Sequence, residues 1–224
     1  MRSFSISILS KWEYWLKDQL ARRIPLFFSS RKLTFLSLVA AFLAFLSYYF
    51  AKHQLWFIWL ASFFILAQWV TDTLDGEVGR YRKEGFIKWG LYVDHFFDFI
   101  FFTLMVFGLY FVAGQSEFFN YFLVIFALGS AFFIHAYLYA SATGTLELSA
   151  MGISGTELRF MVILLNTVIF FFGRKILENQ WLYIAIIATL SIALVFIFIK
   201  FQNNLAKIDM QLKKQSARIA KTKR

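Results

Sequence analysis

The chain has 224 residues, 60% of them apolar, with 31 Phe, one Pro and a formal net charge of +10. Soluble domains hold about 45–50% apolar residues, so the excess belongs against lipid and an ordinary soluble enzyme is excluded. There is no cysteine, which excludes disulfide and thiolate chemistry, and on so hydrophobic a chain the basic residues are expected at anionic headgroups rather than on nucleic acid.

The first predicted element is a surface helix. Leu9, Trp12, Leu16 and Leu20 recur at helical spacing among Lys11, Lys17, Arg22 and Arg23, which suits an amphipathic helix lying in the membrane interface. Pro25 stops it. Six spans follow, at 33–50, 56–79, 89–112, 118–140, 158–172 and 181–199, each close to the roughly 20 residues a bilayer core requires. The first ends in SYYFAKHQ, too bulky for signal-peptide cleavage, so it is retained. Beyond the sixth, a basic tail is weakly amphipathic through Leu205, Ile208 and Leu212.

The expected architecture is therefore an all-α integral membrane protein. It consists of an N-terminal interfacial amphipathic helix (1–30), a six-transmembrane-helix bundle (31–200) and a basic cytoplasmic tail (201–224). With the N-terminus inside, 20 of the 23 Lys and Arg lie on the cytoplasmic side, and Lys52, Arg174 and Lys175 lie outside. That bias predicts cytoplasmic termini.

The chemistry is concentrated where the second span ends and the third begins, in TDTLDGEVGRYRKEGFIKWGLYVDHFFDFI. An ionised carboxylate at the bilayer centre costs about 2.5–3.5 kcal/mol on insertion scales, so an intramembrane cluster needs cationic partners. Asp72, Asp75, Gly76, Gly79 and Arg80 fall on one helical face, and Asp94 and Asp98 lie one turn apart on the next helix. Antiparallel helices would bring both carboxylate pairs to one depth. Four carboxylates supply hard oxygen ligands for Mg²⁺, Mn²⁺ or Ca²⁺. Gly76 and Gly79 leave room for a flat group to approach the backbone, and Arg80 offers a fork of donors suited to phosphate. Together these describe a nucleotide-diphosphate site on the cytoplasmic side.

The order Asp-x-x-Asp-Gly-x-x-Gly-Arg, followed by Gly90, Asp94 and Asp98 at spacings of four, resembles the signature of the CDP-alcohol phosphotransferases. The resemblance implies an enzyme that joins a CDP-activated group to an alcohol and releases CMP, with two divalent cations, Mg²⁺ or Mn²⁺, and a homodimeric state. Asp72, Asp75 and Asp94 would bind one metal, and Asp72, Asp94 and Asp98 the other. Asp98 would also be the catalytic base. Gly76, Gly79 and Arg80 would line the CDP site, and Gly90 would keep the third helix close. The chain departs from the family's pattern in three places. Gly79 replaces an Ala, the spacer from Arg80 to Gly90 has nine residues instead of eight, and SSRKLT replaces the Pro-Asn before the first span.

Other positions carry weaker signals. Asp-His-x-x-Asp at Asp94–Asp98 is similar to the choline and ethanolamine branch, yet His95 should point away from the metal face and pack. Glu157 and Arg159, in SGTELRF, either line an acceptor pocket or set charges at a helix start. Arg82, Lys83 and Lys88 read as topology signals with a possible contact to a phosphorylated acceptor, and His135 reads as packing.

The reading that results is phosphatidyl transfer from CDP-diacylglycerol to a small polar alcohol. A CDP-choline-type or CDP-ethanolamine-type donor with a lipid acceptor is the alternative. A cation transporter using the same carboxylates is disfavoured by Arg80, whose charge would repel the passing ion.

Overall fold

The computed structural model describes residues 17, 19–114, 116–144 and 155–222. Six long helices dominate it: α1 (Ser30–Ala51), α2 (Phe57–Tyr81), α3 (Ile87–Ala113), α4 (Phe119–Thr143), α5 (Gly155–Phe172) and α6 (Gln180–Thr222). Six helices are long and apolar enough to cross a membrane, and no strand occurs among the described residues. The surface helix expected around Leu9–Leu20 lies largely outside the described residues, and the chain from 22 to 29 is not helical.

Helices suit these segments because lipid offers no partner for an open backbone polar group. Their ends carry local signals. Ser29 caps α1 by accepting from the Lys32 N–H, and Glu84 accepts the Ser30 N–H at 3.2 Å. Gly114 and Gly144 end α3 and α4 with φ of 69° and 73°, a conformation glycine adopts without strain.

α1 packs most extensively on α2 and then on α3, α5 packs on α2, and α4 pairs with both α3 and α6. The buried face of α1 is lined by Ser37, Ala40, Ala41, Ala44, Ser47 and Ala51, small residues that let helix backbones approach in lipid. A buried polar chain crosses this core. Tyr48 Oη donates to Asn166 Oδ1 at 2.9 Å, and Asn166 Nδ2 donates to Ser62 Oγ at 2.9 Å. It ties α1, α5 and α2 together well away from the acidic end.

α6 does not stop with the sixth span. Its 43 residues form one helix, about 65 Å long at 1.5 Å per residue and so far longer than a bilayer core of about 30 Å. The basic tail is thus a continuation of the last helix.

Candidate active site

The acidic end of the bundle is built by α2 and α3, braced by α1 and α5. Asp72, Asp75, Gly76, Gly79 and Arg80 stand on α2, and Gly90, Asp94 and Asp98 stand on α3. Asp94 lies within electrostatic reach of Asp72, Asp75 and Asp98, so the two helices do bring the four carboxylates into one neighbourhood. Each is at least half withdrawn from the surface, Asp75 most of all.

Asp75 is held by α1, where Thr34 Oγ1 donates to its Oδ2 at 2.6 Å. Asp72 and Asp98 are held by α5. Arg159, 8% exposed, donates from one nitrogen, Nη2, to Asp72 Oδ2 at 3.0 Å and to Asp98 Oδ1 at 2.7 Å. Its Nε donates to the buried Gln68 Oε1 at 2.7 Å, and its guanidinium lies 5.1 Å from the centre of the Phe101 ring. Gly155 makes room for this: a Cβ there would stand 2.9 Å from Arg159 Nη1. Trp69 Nε1, donating to Thr156 Oγ1 at 3.2 Å, fastens the same turn of α5 to α2.

Arg159 was expected at a helix start, lining a pocket or setting interface charge. It does stand near the start of α5, but buried against Asp72 and Asp98 and not set out at the interface. Gln68 had no expected role, although it sits one turn before Asp72 on the same face. The signal for Arg159 was present in kind, since a charge in an apolar helix requires a partner. Sequence spacing did not say that the partner lay 87 and 61 residues away.

Arg80 is at the mouth of the site, its side chain 68% exposed and paired with Glu77 at 2.7 Å. It folds back across Gly76, where an added Cβ would meet Arg80 Nη1 at 3.5 Å. Gly79 faces α1, and a Cβ there would stand 3.0 Å from Ser30 Oγ. The close approach expected at Gly90 is not found, because an added Cβ would meet no atom within 4 Å. The space beside Gly90 is open, so the third helix is held by other contacts.

The α2–α3 loop turns through two left-handed residues. Lys83 and Gly85 take φ of 55° and 79°. Arg82 is occupied structurally, donating to the carbonyls of Ile24, Pro25 and Phe28. Beyond the carboxylates, a cavity of about 600 Å³ opens between α3 and α4, lined mainly by apolar side chains with Lys88, His95, Tyr137 and Ser141 among them. His95 is half-buried there; neither ring nitrogen has a hydrogen-bond partner among the described residues, and Nδ1 stands 3.8 Å from Asp94 Oδ2. Tyr137 Oη donates to the His95 carbonyl at 2.9 Å.

As the side chains stand, no group of three or more His, Cys, Asp or Glu among the described residues is gathered closely enough to hold a metal ion. Asp72 and Asp98 are each hydrogen-bonded to Arg159. The donor chemistry nevertheless fits a hard cation, being carboxylate oxygen throughout. Four acidic side chains against one buried guanidinium leave negative charge still to be offset.

The sequence pattern of the CDP-alcohol phosphatidyltransferases matches residues 28–199. No individual curated protein matches the chain. The matched residues include all six-helix elements from α1 to the membrane part of α6, with the whole acidic site inside them. The protein therefore belongs to the CDP-alcohol phosphatidyltransferase family, transferases that use a CDP-alcohol donor and an alcohol acceptor.

Proposed function

We propose that this enzyme makes phospholipid, moving a phosphatidyl group from CDP-diacylglycerol to a small polar alcohol with release of CMP. The observation that carries the reading is the meeting of Asp72 and Asp75 on α2 with Asp94 and Asp98 on α3, in the family's order and within mutual electrostatic reach. Asp72, Asp75 and Asp94 would hold one divalent cation, and Asp72, Asp94 and Asp98 a second. Such ions, Mg²⁺ or Mn²⁺, would neutralise the pyrophosphate and the charge that develops on the departing CMP.

The chain's own groups do the rest. Arg80, at the mouth, would leave or share Glu77 and take the diphosphate. Gly76 and Gly79 would border the nucleotide, and the open space at Gly90 would lie on the substrate side of α3. Asp98 would accept the proton of the acceptor hydroxyl. The acceptor oxygen then bonds to the phosphorus that carries diacylglycerol, and that phosphorus loses its bond to the oxygen of CMP. The cavity between α3 and α4 would admit acyl chains sideways from lipid. The bias of basic residues, 20 of 23 on one side, supports a cytoplasmic site and cytoplasmic termini, and we expect a homodimer.

A second reading has a specific observation behind it. His95, half-buried at the wall of that cavity with neither ring nitrogen hydrogen-bonded among the described residues, would suit a lipid acceptor hydroxyl, with a soluble CDP-alcohol as donor. One experiment separates the two. Purified protein in nanodiscs is given radiolabelled CDP-diacylglycerol, Mg²⁺ or Mn²⁺, and a panel of small alcohols. CMP release with phospholipid formation supports the first reading. Turnover of CDP-choline or CDP-ethanolamine with diacylglycerol, and none of CDP-diacylglycerol, overturns it in favour of the second.

A further inference from the structure

The proposed chemistry does not use the contact between Arg159 and the acidic cluster. A single nitrogen, Nη2, stands between Asp72 Oδ2 and Asp98 Oδ1, at 3.0 and 2.7 Å. The two oxygens are thus within two hydrogen-bond lengths of each other, across two different helices. A dication shared by Asp72 and Asp98 through these two oxygens would take the same space between them. Positive charges repel strongly at such distances in a partly desolvated site. Among the described residues no three acidic side chains are gathered closely enough to hold a metal ion.

The surroundings of Arg159 bear on what it does when that pair is taken. Gln68 accepts from its Nε at 2.7 Å, the Phe101 ring lies 5.1 Å from its guanidinium carbon, and Gly155 leaves space beside Nη1. These contacts come from α2, α3 and the start of α5 itself, and none uses a carboxylate. A guanidinium released from Asp72 and Asp98 would still be partnered, which makes release tolerable in a buried place.

We propose that Arg159 is a resident counter-ion that competes with the divalent cation for Asp72 and Asp98. In the metal-free protein it keeps the cluster from repelling itself apart and draws the first turn of α5 onto α2 and α3. Metal binding loosens it, so occupancy of the site is linked to the docking of α5. Linkage is reciprocal: whatever weakens the hold of Arg159 strengthens metal binding. The inference rests on the metal assignment proposed above.

The test is Mn²⁺ binding without substrate, followed by the electron paramagnetic resonance of free Mn²⁺, for wild type, Arg159→Gln and Arg159→Lys in nanodiscs. Arg159→Gln should unfold at lower temperature when metal-free and bind Mn²⁺ more tightly, on the order of tenfold or more for the loss of a nearby unit charge. Arg159→Lys, which keeps the charge, should stay near wild type in affinity. Equal or weaker binding by Arg159→Gln overturns the proposal and makes Arg159 an orienting residue instead. If Arg159→Gln does not fold, wild type decides through hydrogen exchange of the second turn of α5, the first whose amides are bonded within the helix. Saturating Mn²⁺ should speed exchange there, and protection overturns the proposal. Absence of Mn²⁺ binding by wild type would instead sink the metal assignment, and this inference with it, so the two failures are distinguishable.

Discussion

Arg159 on α5 and Asp98 on α3 meet at 2.7 Å across 61 residues of sequence. The same guanidinium nitrogen reaches Asp72 on α2, so one side chain joins three helices at the acidic end of the bundle. Thr34 on α1 adds a fourth helix through Asp75. The site is therefore a four-helix construction, although the family signature occupies α2 and α3 alone.

Arg80 is exposed and rests on a carboxylate it can exchange for phosphate. Replacing it by Ala should weaken CDP binding roughly 10- to 100-fold, the usual worth of a charged hydrogen bond, with little effect on folding. Competition of CDP against a fluorescent nucleotide measures this. Unchanged affinity would remove Arg80 from the nucleotide site.

Gly79 and Ser30 make a second testable pair. The family's Ala at 79 would bring a Cβ to 3.0 Å from Ser30 Oγ and 3.2 Å from Ser30 Cβ, closer than such contacts normally run. Gly79→Ala should lower stability and with it the thermal midpoint, an overpacking cost of about 1–3 kcal/mol outweighing the roughly 1 kcal/mol of helix propensity gained, and Ser30→Gly should restore it. Additive effects in the double variant would show that the two departures from the family pattern are independent.

The buried chain Tyr48–Asn166–Ser62 is predicted to be structural. Asn166→Leu strands the Tyr48 hydroxyl and removes a donor from Ser62, at a cost of about 1–3 kcal/mol. Thermal unfolding in nanodiscs should show the loss, while CMP release per folded molecule stays near wild type. A collapse of turnover without a loss of stability would give this chain a catalytic role.

His95→Ala should leave substantial transfer to a small polar alcohol, since the ring lines the α3–α4 cavity and its Nδ1, 3.8 Å from Asp94 Oδ2, stands beyond hydrogen-bond distance of the carboxylate. Loss of that activity, measured as CMP release, would move His95 into the chemistry and favour the lipid-acceptor reading.

Much of this molecule is legible from its sequence, for identifiable reasons. Runs of apolar residues near the thickness of a bilayer give the first five helices almost to their ends and the start of the sixth, because an apolar run of that length in lipid must satisfy its own backbone as a helix. The basic continuation of α6 past the span carried no such signal. Carboxylates in such runs are costly enough that Asp72, Asp75, Asp94 and Asp98 declare themselves. What stayed hidden is pairing between distant helices. Helical periodicity puts Gln68 and Asp72 on one face but is silent about Arg159, which arrives from α5. It also cannot say that Gly79 yields space to Ser30 while Gly90 borders open space. Those are facts of packing between elements, and the residues on each side look ordinary in their own local context.

The most direct test of the account is metal-dependent CMP release from CDP-diacylglycerol by wild type beside Asp98→Asn, with nucleotide binding measured on the same preparations. Wild type should release CMP with Mg²⁺ or Mn²⁺ and fall silent with chelator, and Asp98→Asn should bind CDP yet release no CMP. Turnover retained in Asp98→Asn, or wild-type turnover indifferent to chelator, would contradict the assignment of this acidic cluster as the catalytic centre.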